Sequence, residues 1–159
     1  MFASFLLSFV VIARFWVVHH RLFGYVGRLT TRLVWVNLFW VLTIVILPFL
    51  TQFVASYGPD PLITRTYIAV LALCSGAITV MTVTMVRLGA ADGDGSGPPE
   101  DFVDGTIAAT ADIVLAFLVV LIVPSVNYWA LFLLFLDPIT VRVVSRLRRG
   151  PSRRSPAQG

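Results

Sequence analysis

The sequence contains no lysine and a single glutamate. Charged residues make up 13% of its 159 positions, where a soluble domain carries about 25%. That is too little polar surface to wet a globule of this length, which excludes an ordinary soluble domain. The formal charge of +4 comes from arginine alone. Those arginines sit at the ends of apolar runs and in the C-terminal tail, so nucleic acid is not an expected partner. One cysteine, Cys74, excludes an internal disulfide and a cysteine-cluster metal site. Lying beside Leu71, Ala72 and Leu73, it reads as a small buried apolar side chain. Gly93-Asp94-Gly95-Ser96-Gly97 lacks the preceding strand and the lysine of a phosphate loop. Neither a nucleophile elbow nor a zinc-protease motif occurs. Internal inverted repeats of the transporter kind are absent too. No enzymatic activity, cofactor or metal site is therefore expected. What the chain does have is apolar sequence, at 58% of residues and a mean hydropathy of +0.90. The fold class is all-α, a polytopic transmembrane helical bundle.

A span needs about 20 mostly apolar residues. Five stretches qualify, at roughly 3–23, 33–56, 63–87, 106–124 and 127–146. The first lacks a basic leader and runs straight into Arg14 and Trp16, so it reads as a span and not as a cleavable signal. Pro48 lies inside the second and is expected to kink it. Tyr57-Gly58-Pro59-Asp60-Pro61 marks a tight turn. Residues 88–105 form a polar connector, mobile by its Gly/Pro-rich composition. Pro124-Ser125-Val126-Asn127 reads as a hairpin. Asp137-Pro138 interrupts the fifth stretch. Residues 1–148 make up the membrane domain, and 149–159 a disordered basic tail.

The arginines are distributed unequally. Arg21, Arg28, Arg32, Arg87, Arg142, Arg146, Arg148, Arg149, Arg153 and Arg154 fall on one side of the spans. Only Arg65 falls on the other, and Arg14 lies inside the first span. The excess of arginine marks the cytoplasmic side, so the expected location is the cell membrane, multi-pass, with a cytoplasmic C-terminus. The first helix then runs from outside to inside. Five helices in this orientation look like six with the first removed.

Polar residues interrupt the first two spans in a pattern. Ser8-Phe9, Ile12, Trp16, His19-His20 and Phe23 are followed by Leu33-x-Trp35-x-Asn37-Leu38 and Leu47-Pro48-Phe49. This run resembles the second and third helices of the transmembrane protein 175 family, potassium channels of endosomes and lysosomes with prokaryotic relatives. The resemblance implies six helices per repeat, a tetrameric assembly in prokaryotic members, and a pore lined by a first helix carrying Phe-Ser-Asp-Gly. That tetrapeptide occurs nowhere in this sequence, which begins where the family's second helix begins.

Histidine and asparagine inside lipid-length helices need partners. Helical spacing places Trp16, His20 and Phe23 on one face and turns His19 about 100° away from His20. By resemblance, Trp16, His19, His20 and Asn37 form a helix–helix network that holds the pore helix. The competing reading leaves both histidines in water beside Arg21. Adjacent histidines diverge too far for metal binding. Asn37 suits a hydrogen bond to a neighbouring helix better than ion contact. Arg14 is either functional or paired with Asp112 or Asp137. Both acids read as lone carboxylates near helix ends, where solvation is the ordinary state. Ser75, Gly76, Thr79 and Thr82 suit close helix packing.

These readings lead to a potassium-selective, leak-type channel subunit conducting passively as a homo-oligomer, with potassium ions and the lipid bilayer as partners. The alternative is a non-conducting, truncated family member or membrane scaffold lacking the pore helix.

Overall fold

The computed structural model describes residues 2–57, 60–92 and 97–122. They form four helices: α1 (Phe2–Phe23), α2 (Thr31–Tyr57), α3 (Pro61–Asp92) and α4 (Glu100–Ile122). No strand occurs among the described residues. Thr31–Phe53, Pro61–Gly89 and Glu100–Ile122 are long and apolar enough to cross a membrane. The expected fifth span at 127–146, the hairpin before it and the basic tail lie outside the described residues.

The starts of α2, α3 and α4 have local causes. Thr30 opens α2, its Oγ1 accepting the Leu33 N–H at 3.3 Å. Asp60 opens α3, its Oδ1 accepting from the Leu62 and Ile63 amides at 2.8 and 3.1 Å. Such a cap satisfies donors that have no partner within the helix. Asp60→Ala is expected to cost about 1 kcal/mol, read as a lowered midpoint in reversible denaturation in micelles. α2 continues past Pro48 without a break in helix, although the missing N–H of Pro48 cannot serve the Ile44 carbonyl. One turn on, the Thr51 hydroxyl donates to the Leu47 carbonyl at 2.9 Å.

The connector between α3 and α4 is shorter than its composition suggests. α3 continues to Asp92, and α4 begins at Glu100, six residues before the expected 106. The Pro99 carbonyl accepts from Phe102 and Val103 at 3.0 and 3.1 Å, and Glu100 and Asp101 occupy the first turn. Acids there complement the positive end of the helix dipole. Gly97 has φ of +141°, and a Cβ on it would lie 3.7 Å from the Met85 carbonyl. A residue without a side chain thus brings the chain back against α3.

α3 is the central helix, packed against α2 on one flank and α4 on the other, while α1 lies mainly on α2. Two apolar clusters result. One joins Leu22, Leu33, Trp40, Cys74, Ile78 and Met81. The other joins Leu47, Ile68, Leu71, Ile113, Ala116 and Val120. Between α3 and α4 runs a line of hydroxyls. Ser75 and Thr110 lie 2.8 Å apart, Thr79 and Thr110 2.8 Å apart, and Thr79 donates to the Thr106 carbonyl at 3.0 Å. Small residues let these helices approach, and the hydroxyls bond across the gap. Thr110→Val keeps the shape and removes the shared member. It is expected to cost about 0.6–1.7 kcal/mol, read from unfolding in bicelles.

Candidate functional site

The polar residues of the first two spans meet where the last turns of α1 cross the first turns of α2. His19 Nε2 donates to Asn37 Oδ1 at 2.7 Å. The imidazole stacks on Trp40, with centroids 3.9 Å apart and planes at 6°. Phe23, one turn on, approaches the other side of His19 at 4.4 Å. His19 is half-buried in this contact, and Trp40 is buried. A bond between two side chains in separate apolar helices fixes both the rotation and the depth of one helix against the other, because lipid offers neither group a substitute.

His20 points elsewhere. It is exposed and stacks on Trp16, one turn back, with centroids 5.2 Å apart and planes at 7°. The rotation between successive residues thus divides the histidines into an inner and an outer one. Phe23 does not join the Trp16–His20 face as its spacing suggested. Its ring turns to His19, because the ring at i+4 stacks over the one at i.

Near this crossing Tyr25 meets Phe102 edge-on, with centroids 5.8 Å apart. That contact ties the α1–α2 turn to the first turn of α4. Cys74 is buried beside Trp40 and Thr43.

The charged candidates are arranged differently. Arg14 is exposed on α1. Asp112 is 3% exposed on the inner face of α4, not at a wetted helix end. Asp104, which composition assigned to the connector, is 2% exposed on that same helix. Two turns separate these acids, which places them on one stripe. Asp137 lies outside the described residues. Trp40 and Asp104 were not singled out in the sequence. For Trp40 the available signal was its place three residues after Asn37, on the same helix face.

A set of apolar helices joined by interhelical hydrogen bonds and carrying buried acids defines a polytopic membrane protein. Residues 1–48, the segment that holds His19, Asn37 and Trp40, match the family described as endosomal/lysosomal potassium channel TMEM175. It is also similar to a potassium channel of Streptomyces collinus, at 36% identity over 56 residues. That alignment takes in 35% of this chain and 27% of the relative, so the chain spans about a quarter of the relative it matches. No solved structure matches it. The matched family is one of ion channels, not an enzyme class.

Proposed function

We propose that the chain is a subunit of a potassium-selective, leak-type channel that passes ions passively across the plasma membrane as a homo-oligomer. The observation that carries this reading is the match over residues 1–48, a segment in which a hydrogen bond joins His19 to Asn37. In this reading the bond sets the angle of α1 on α2. The Trp16–His20 face is then presented to a pore helix bearing Phe-Ser-Asp-Gly. By resemblance the assembly is a tetramer. The arginines at 21–32 and in the tail put the C-terminus in the cytoplasm. Selectivity arises at an apolar constriction under the field of helix ends.

The test is potassium flux into liposomes, comparing this chain with one extended upstream in frame. Potassium uptake by the extended chain, suppressed by His19→Ala, is the expected result. No flux from either chain would overturn the proposal. A second reading is a non-conducting family member or membrane scaffold. Co-purification with a full-length relative, without flux of its own, would select it.

A further inference from the structure

An apolar groove of 460 Å³ opens on the outer surface between α2 and α3. Trp35 and Phe39 wall it on α2, and Ala72, Gly76 and Val80 form its other side on α3. Its volume falls within the range of about 300–1,000 Å³ common for ligand pockets. Gly76 creates the depth, since a Cβ there would meet no heavy atom within 4 Å. Trp35 is 68% exposed along the rim. Water is a poor filler for such a lining, which offers it no hydrogen-bond partners.

The helix stripes that line the groove each continue to a cation. On α2, Arg32 precedes Trp35 by three residues and Phe39 by seven. On α3, Arg87 follows Val80 by seven and Gly76 by eleven. Spacings of three, seven and eleven keep residues on one helix face. The short 57–61 connection makes α2 and α3 antiparallel neighbours, so both arginines lie beyond the same end of the groove. Both are exposed. An apolar slot with two guanidinium groups at one end matches a hydrocarbon tail below a phosphate, which arginine binds through paired N–H donors. A two-fold contact with a second copy is disfavoured by the same charges. It would bring four guanidinium groups to one level.

We infer that this groove holds an acyl chain of an anionic glycerophospholipid, with its phosphate between Arg32 and Arg87.

The experiment is native mass spectrometry of the full chain from nanodiscs containing equal phosphatidylglycerol and phosphatidylcholine. The wild type should retain phosphatidylglycerol with an enrichment of about thirtyfold, as expected for two basic residues at about 1 kcal/mol each. Arg32→Gln with Arg87→Gln should abolish the preference. Gly76→Leu should reduce retained lipid by one molecule per chain. Leucine favours helix over glycine, so circular dichroism should show total helix content unchanged, and the surface arginine pair gives a reading independent of that substitution. Equal retention of the two lipids by the wild type would overturn the inference. So would unchanged phosphatidylglycerol in Gly76→Leu. Loss of oligomer mass in Gly76→Leu without loss of lipid would assign the groove to a second copy instead, and would also overturn it.

Discussion

His19→Ala is expected to destabilise the bundle by about 2–5 kcal/mol, counting one interhelical hydrogen bond of about 0.6–1.7 and two ring contacts of about 0.5–1.5 each. The bond to Asn37 is 2.7 Å long, and the rings of Trp40 and Phe23 lie 3.9 and 4.4 Å from the imidazole. Removing the imidazole also strands the Asn37 amide at an apolar contact, where an unmade bond is expensive. His20→Ala is the control. It loses one exposed stack on Trp16, worth about 1 kcal/mol or less. The pair should therefore behave very differently despite being neighbours. A double-mutant cycle of His19→Ala and Asn37→Ala in bicelles isolates the bond, with an expected coupling of about 0.6–1.7 kcal/mol. Equal losses at His19 and His20, or a coupling near zero, would show that the crossing of α1 and α2 is not held in this way.

The same pair of residues shows what the sequence could and could not convey. A rotation of about 100° per residue requires that the two histidines diverge. It does not say which one turns inward. That depends on Asn37 and Trp40, which lie in another helix and become neighbours only when α2 packs. Helix identity was legible because apolar runs of this length have few other outcomes, and α1, α2 and α3 follow the expected 3–23, 33–56 and 63–87 closely. The start of α4 was not. Asp, Gly and Pro between 92 and 104 read as a loop by composition. Proline and acids are also the residues that begin a helix, and here Pro99, Glu100 and Asp101 do so. Asp104 consequently lies on a buried helix face. The hydroxyl line was half visible. Ser75 and Thr79 stood out as packing residues, but Thr110, which bonds both, belongs to a span where nothing local marks it.

Leu42→Asp is expected to raise the apparent insertion free energy of the second helix by about 3 kcal/mol, the difference between a leucine and an aspartate at the centre of a spanning helix. Leu42 is 54% exposed and lies mid-way along the Thr31–Phe53 span. On a water-facing helix the same replacement would change stability by about 0.5 kcal/mol or less. The contrast arises from what surrounds the side chain. Hydrocarbon cannot hydrate a carboxylate, so the group must drag water inward, thin the bilayer or take up a proton. Leu42→Ala should change little in either medium, because it removes bulk without adding charge. A membrane-insertion reporter carrying the span gives both values directly. The neighbouring Val41, Val45 and Phe49 are exposed as well, so no nearby polar group is available to shelter an aspartate at 42. Insertion unchanged by Leu42→Asp would mean that this face of α2 meets water, and the apolar exposure of the second helix would then need a different explanation from lipid.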